Sequence, residues 1–583
     1  MTPIREGIIW RSRLRLLQLT AVVLAGVLIG RLGYLQIVQH DKYQAQAADE
    51  HTRKYQIPAT RGELYAYDGS SVVPIVLNQT RHVLYVDPRY IEDRDAVATQ
   101  LAAITGAKAV DYRSRIDQGI EYAVLERRIS NDMATKIKEL GIKGVGLTPT
   151  AYRTYPEGSL AAQVLGFVNA DSIGQYGVEG FLNEQLAGQP GQLAAKTDTR
   201  GIPIATADNV IKPAEDGKNY VLTIDRNIQA MAEQRLAEQI SAVKAKSGSI
   251  VIMDTDGAVR AMANYPTFDP NAYSQVADYS VFMNQVVSSQ FEPGSGMKAF
   301  AMAIGLDQKK VTPETTYDDT GSVKVADKVI SNAEGDKAGS GKSMTVVLRD
   351  SLNTGMVFVL KMIGGNADAV TSTGKKLVYE YYTKHFGFNE RTGIEQAAEA
   401  AGSVPPANRD DVTYANMVFG QGMSVTMIQM AAAMAAVANG GTLYQPRLVA
   451  GEMKPDGSMV PTSAKAVRTG VISQKTAQDL GTMLQVVVQH GSGYRAGQMN
   501  PGYKIAGKTG TAQIPRPDGK GYIDGANIGS FVGYAPADNP RFVVMVRINE
   551  PGVQGFAETT TVPVFGDVCK WLFKYYAIAP TSS

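Results

Sequence analysis

The apolar positions of this chain change pattern along its length. From Leu16 to Gly30 they are nearly continuous and uncharged, and after Arg31 the run resumes with Leu32, Tyr34, Leu35, Ile37 and Val38. Crossing a bilayer core takes about 20 apolar residues. The segment reaches that length if Arg31 snorkels toward the far interface. Arg5, Arg11, Arg13 and Arg15 precede it, against Glu6 alone. The positive-inside rule then predicts a cytoplasmic tail over 1–15, a transmembrane anchor over 16–38, and the remainder outside the membrane. A cleaved leader and a buried core helix compete with this reading. Ala45-Gln46-Ala47 is of cleavage-site type but lies far beyond the apolar run, and the arginine cluster disfavours a core helix. No second uncharged apolar run approaches the ~18 residues of a span.

Beyond the anchor the periodicity is that of a globular α+β chain. Between about 39 and 214, strand-like segments (His82–Val86, Gly144–Leu147) alternate with polar helical ones (Asp95–Ile104, Asn131–Leu140), predicting an elongated module. Lys212–Lys218 reads as a turn-rich linker. Asp225 is placed to cap a helix carrying Ile228, Met231, Leu236 and Ile240 near one face. Ser249–Met253 and Ala258–Ala263 read as a hairpin about the turn Asp254-Thr-Asp-Gly257. Thr426–Asn439 reads as an Ala- and Met-rich helix opened by the capping box Thr426…Gln429 and closed by Gly440-Gly441. Tyr503–Ala506, Ser530–Tyr534 and Phe542–Ile548 read as strands. A last helix starts at Pro563 and places Phe565, Val568, Cys569, Leu572, Phe573 and Tyr576 on one stripe. The tail Ala579–Ser583 is expected to fray.

Composition narrows the chemistry. With 583 residues, 44% hydrophobic and 20% charged, the chain is of globular type. Its net charge of +2 gives no bulk electrostatic case for nucleic acid. The single cysteine, Cys569, excludes an internal disulfide and a cysteine zinc site, and its place on an apolar stripe makes it a core residue. The five histidines (His40, His51, His82, His385, His490) form no i, i+3 or i, i+4 pair. Neither a metal site, a cofactor site nor a Ser–His–Asp relay is expected.

Serine chemistry without histidine remains. Ser-x-x-Lys occurs at Ser241…Lys244, Ser295…Lys298 and Ser372…Lys375. The first lies in a polar helix end and the third in a polar stretch before a helix. Ser295 alone follows the turn Phe291-Glu-Pro-Gly294 and precedes an apolar helix. That places Ser295 at a helix N-terminus with Lys298 one turn along on the same face. A serine hydroxyl needs a base, and an amine of lowered pKa can serve. The free N–H groups of the helix start can face an oxyanion. Ser351-Leu-Asn353 offers a hydroxyl that can pass a proton and an amide that can hold a peptide backbone. Lys508-Thr509-Gly510-Thr511, on or after a strand, suits an extended peptide ending in a carboxylate. Singly, each motif is more often a solvated polar turn. In this order, Ser-x-x-Lys, Ser-x-Asn and Lys-Thr-Gly form a recognised catalytic set.

With this set on it, the chain resembles the class B penicillin-binding proteins, D,D-transpeptidases of the bacterial cell wall. The resemblance covers nearly the whole chain. It includes Arg61-Gly-Glu-Leu64, Tyr155-Pro-Glu-Gly158, Leu160-Ala-Ala162, Leu165-Gly-Phe-Val168 and Gly174-Gln-Tyr-Gly-Val-Glu179 in a pedestal. Phe268-Asp-Pro-Asn271, Phe419-Gly-Gln-Gly422 and Ser530-Phe-Val-Gly-Tyr-Ala535 match catalytic landmarks. The resemblance implies a dimerisation-type pedestal over 39–214. It also implies a serine β-lactamase-like transpeptidase domain over 219–578, with an antiparallel five-stranded sheet flanked by helices. It implies Ser295 as nucleophile toward D-Ala-D-Ala stem peptides and β-lactams, Lys298 as base, Ser351 as proton shuttle and Asn353 as peptide holder. Lys508, Thr509 and Thr511 would line the carboxylate site beside Gly510, with the N–H groups of Ser295 and Thr511 as oxyanion hole. A polytopic membrane glycan polymerase is the implied partner.

Two departures stand out. Ala66-Tyr67 replaces the usual Asp-Arg, which puts one pedestal ion-pair network in doubt, and Met427 replaces a proline after Thr426. The chain ends soon after its last helix, so no C-terminal accessory domain is expected. A β-lactamase or carboxypeptidase, and a scaffold activating the polymerase, are the competing functions. The wording around Gly166–Glu179 and Val562-Pro-Val-Phe565 favours a septal over a side-wall role.

Overall fold

The computed structural model describes residues 4–44, 52–118, 122–196, 210–333, 338–516, 521–553 and 556–581. The segment Ala45-Gln46-Ala47 and the last residues of the tail lie outside them. The N-terminal apolar run is a helix, Ile4–Gly33, continued by one wider turn over Tyr34–Val38. Leu17, Val22 and Ile29 stand exposed along it. Among the described residues it is the one helix long and apolar enough to cross a membrane, over Arg13–Val38. The chain is a single-pass membrane protein.

Two compact units follow from the packing. The first comprises Met1–Thr60 and Gly188–Gly217. In it Thr52–Ile57, Gly191–Lys196 and Val210–Lys212 form three antiparallel strands. The expected linker at Lys212–Lys218 therefore starts as the end of a strand, and Glu215 still bridges back to Gln189.

In the second unit, Arg61–Ala187 with Lys218–Ser583, Leu64–Asp68 and Ser71–Val86 form a hairpin. Ala123–Ile129 and Val145–Thr154 pair with its longer strand. The strands expected at His82–Val86 and Gly144–Leu147 are the meeting ends of these longer ones. Helices Arg94–Thr105 and Asn131–Glu139, N-capped by the side chains of Asp93 and Ser130, share a core with Leu84, Val86 and Leu125. Asn219–Asp225 then pairs in parallel with Leu64–Asp68 and antiparallel with Val449–Met453. Residues from both sides of the boundary expected near 214–219 thus share one sheet.

Ala66 and Tyr67 bring no charge, yet this unit holds a buried ion network. Arg61 Nη2 and Arg153 Nε reach the two oxygens of Glu179 at 2.5 and 2.7 Å. Asn183 and Asn78 take further guanidinium hydrogens at 3.1 and 3.0 Å.

A further sheet is five-stranded and antiparallel. Its strands in chain order are β1 (Ser247–Asp254), β2 (Val259–Tyr265), β3 (Ala506–Pro515), β4 (Tyr522–Ala535) and β5 (Phe542–Asn549), arranged β2-β1-β5-β4-β3. Side chains alternate across it with the period of a strand. Val251, Met253, Val543 and Met545 face one core and Ile250, Ile252, Val544 and Val546 the other. On the second face pack α1 (Arg226–Val243, capped by Asp225) and the C-terminal helix Val562–Tyr575, which holds Cys569 fully buried. On the first face lie α2 (Lys298–Asp307) and α3 (Met427–Ala438). The latter is apolar at every position but Gln429 and buried at eleven of its twelve positions, as a central helix must be. Its capping box, Thr426 with Gln429, is formed as expected.

Two expectations are corrected. Tyr503–Ile505 are not in a strand, because Tyr503 stacks on Phe573 at 3.9 Å between ring centroids and ladder pairing starts only at Ala506. Ser372–Lys375 does not precede a helix but opens one, Ser372–Glu380, because Thr371 supplies the cap.

Candidate active site

Ser295 sits in a tight 3-10 turn, Gly294–Met297, that runs directly into α2. Gly294 has a φ of +54°, a conformation that glycine takes without steric cost. Its N–H donates to Gly420 O at 3.1 Å, and a Cβ there would lie 2.5 Å from Thr511 O. A Cβ on Gly510 would likewise meet Pro293 O at 2.6 Å. The Gly294–Met297 turn, β3 and the Phe419-Gly-Gln-Gly422 loop therefore touch backbone to backbone.

Behind Ser295 is a lysine pair. Nine of the ten residues of α2 are buried, Lys298 among them. Lys298 Nζ donates to the carbonyl of Ser351 and, at 3.1 Å, to its Oγ. From β3, Lys508 Nζ donates to the same Oγ at 3.1 Å and to Thr509 Oγ1 at 3.2 Å. Burial pulls Lys508 down to about 8, partly offset by the charge of Glu558. A group so placed still carries its charge at neutral pH, in a site of low dielectric where it attracts an anion strongly.

Ser351 occupies the corner between helices Met344–Arg349 and Asn353–Ile363, with a φ of +60°. An L-residue there is strained, and such strain persists where the surroundings fix it. Asn353 opens the second helix and donates its Nδ2 to Ser331 O at 2.9 Å. Of the strand residues, Thr509 Oγ1 pairs with Ser492 Oγ at 2.6 Å, whereas Thr511 Oγ1 accepts from Ala557 N–H at 3.4 Å. The segments that carry Ser295 and Lys298, Ser351 and Asn353, and Lys508, Thr509, Gly510 and Thr511 thus meet. The other two Ser-x-x-Lys pairs do not join them. Lys244 ends α1, and Lys375 Nζ bonds Asp411 at 2.8 Å and Arg409 O at 2.9 Å.

Residues that sequence reasoning left aside also belong to the site. Ser492, in the turn Gly491-Ser492-Gly493, holds Thr509, and that Gly-Ser-Gly after a helix was the available signal. Glu292 accepts from Gly422 N–H at 2.9 Å and Tyr522 O–H at 3.2 Å, clasping the start of β4 to the segment before Ser295. Its carboxyl is pushed up by burial. Nothing local marked it. Among the described residues no cluster of three or more His, Cys, Asp or Glu is placed to hold a metal.

The chain is similar to known proteins over most of its length. The penicillin-binding protein transpeptidase domain matches residues 248–570, and the penicillin-binding protein dimerisation domain matches 56–222. Stage V sporulation protein D of Bacillus subtilis is 32% identical over 571 residues, 96% of this chain and 85% of that protein. Peptidoglycan D,D-transpeptidase FtsI of Escherichia coli is 29% identical over 563 residues, 95% of this chain and 90% of its own. Penicillin-binding protein 3 of Mycobacterium tuberculosis, crystallised with aztreonam, superposes with a TM-score of 0.68 at 27% identity, covering 91% of this chain and 99% of that one. With the transpeptidase match alone spanning more than half of its length, the chain belongs to the class B penicillin-binding proteins.

Proposed function

We propose that this chain, a serine-type D,D-transpeptidase of peptidoglycan, uses Ser295 as the nucleophile that cross-links stem peptides. The observation that carries the assignment of roles is the Ser351 hydroxyl held between Lys298 and Lys508 at 3.1 Å from each. Ser295 Oγ attacks the carbonyl carbon of the penultimate D-Ala while Lys298 Nζ takes its proton. The N–H groups of Ser295 and Thr511 receive the developing oxyanion. Collapse breaks the C–N bond. The leaving D-Ala amine takes the proton by way of Ser351 Oγ, and an ester to Ser295 remains. The amine of a second stem peptide attacks that ester, gives up its proton to the same relay and restores Ser295. Lys508 and Thr509 hold the terminal carboxylate of the donor, and Asn353 holds its backbone. A β-lactam presents a strained amide and a carboxylate in the same places and acylates Ser295.

The arginine cluster before the anchor supports a cytoplasmic N-terminus and an extracytoplasmic catalytic domain. The anchor and pedestal suit docking to a polytopic membrane glycan polymerase, and the sequence around Gly166–Glu179 supports a septal role. Labelling of the purified full chain with fluorescent penicillin, followed by peptide mapping, tests the nucleophile. A stable adduct on Ser295 that vanishes in Ser295→Ala is expected. Label persisting elsewhere in that variant, or rapid turnover of a chromogenic cephalosporin, would replace this reading with a different nucleophile or with a hydrolase.

A further inference from the structure

Two short antiparallel ribbons lie in the chain between α2 and Ser351. Thr316–Asp319 pairs with Gly339–Ser343, and Ser322–Val325 pairs with Lys328–Ser331. At their centre is a carboxylate, Asp319, whose side chain is fully shut off from solvent. It accepts from Lys342 Nζ at 2.9 Å, from Asn332 Nδ2 at 3.0 and 3.1 Å, from Gly321 N–H at 2.9 Å and from the Thr354 hydroxyl at 2.9 Å. A buried charge surrounded by that many donors is fixed in direction as well as in place.

What it fixes is Asn332. With its amide nitrogen bonded to Asp319, Asn332 can turn only its Oδ1 outward, and that oxygen accepts the N–H of Thr354 at 3.0 Å. Thr354 is the second residue of helix Asn353–Ile363, so its N–H is one of the free donors of a first turn. The helix's own capping position is Leu352, which has no side-chain acceptor. Asn332 supplies the cap from another segment. One residue away, Ser331 O takes the Nδ2 of Asn353 at 2.9 Å. A carbonyl can only accept, so it dictates which end of the Asn353 amide faces the ribbon and leaves Oδ1 with one N–H for a ligand.

We infer that Asp319 and Asn332 are positioning residues. They form a buried clamp that sets the start of the Asn353 helix and with it the direction of the Asn353 amide toward the backbone of the acyl donor. The inference rests on the transpeptidase reading, in which Asn353 grips that backbone.

The test uses the full-length protein and two acylating probes. Benzylpenicillin carries a side-chain amide for Asn353 to grip, and 6-aminopenicillanic acid lacks it. Acylation rates are measured per labelled site, beside thermal unfolding. Asn332→Ala is expected to lower the acylation rate with benzylpenicillin about tenfold or more, the scale of a small misplacement, through weaker binding rather than slower chemistry. The rate with 6-aminopenicillanic acid should change far less. Asp319→Asn should do the same. Equal loss with both probes, or unchanged selectivity in Asn332→Ala, would reduce the clamp to a purely structural feature and overturn the inference alone. Absence of any adduct in the parent protein would overturn the transpeptidase reading and this inference with it.

Discussion

The Oγ of Ser351 stands 3.1 Å from the Nζ of Lys508. Lys298 Nζ approaches the same oxygen at 3.1 Å from the opposite segment. One hydroxyl thus joins the amine three residues after Ser295 to the amine on β3. In the proposed mechanism proton relay and anion recognition share this atom, so that a change at either lysine is felt at the other's task.

Lys508 gives this coupling a pH signature. Burial holds it at about 8, below the ordinary lysine value. In the free enzyme, acylation by an anionic β-lactam should therefore fall as pH rises through about 8, where the cation is lost. Stability moves the other way. The unfolded lysine keeps its proton up to about 10.4, so between the two values the unfolded state binds more protons and stability rises with pH. Lys508→Met should thus be more stable than the parent at neutral pH by about 1–3 kcal/mol, while acylating at least tenfold more slowly. The margin should shrink as pH climbs from 8 toward 10.5. Unfolding titrations of both proteins measure it, and a margin constant over that range would mean that the lysine is not held in the buried state described.

Ser351 carries backbone strain in addition to its hydroxyl. Its φ of +60° costs an L-residue about 1–2 kcal/mol that glycine does not incur. Ser351→Gly and Ser351→Ala both remove the relay, and both should slow acylation by a factor on the order of 10²–10⁴. The two should differ in stability, with the Gly variant about 1 kcal/mol the firmer. Chemical denaturation of the pair decides the point. Equal midpoints would show that the corner imposes no strain.

Much of this site is legible in the sequence. The three motifs were readable because each is local: Gly294 turns the chain, Lys298 follows one helical turn later, and Lys508 lies on or just past a predicted strand. The core was readable for the same reason, since Thr426 and Gln429 cap a helix within three residues and Ile250 and Val251 alternate across a sheet. What escaped were groups whose meaning depends on segments far apart in the chain. Asn332 caps a helix that begins at Asn353, Ser492 holds a threonine 17 residues away, and Glu292 meets Gly422 and Tyr522 across separations of 130 and 230 residues. Tyr503 misled for the converse reason, its strand-like pattern serving a stack on Phe573.

The pedestal offers the last prediction. Glu179 is fully buried between Arg61 and Arg153, whose side chains are 10% and 3% exposed. Removing one partner from such a set strands charge in the interior and costs about 3–5 kcal/mol. Glu179→Gln should therefore lower the thermal midpoint by several degrees and open segment 61–187 to limited proteolysis. Penicillin labelling at Ser295 should survive at low temperature, because the core on the second face of the five-stranded sheet takes no residue from 61–187. The desolvation of three charges weighs against the same network. The triple variant Arg61→Met, Arg153→Met, Glu179→Met leaves no orphan charge and should recover much of the loss. A triple variant as stable as the parent would assign the network to specifying how the pedestal elements meet. One as weak as Glu179→Gln would show that the ions themselves supply cohesion there.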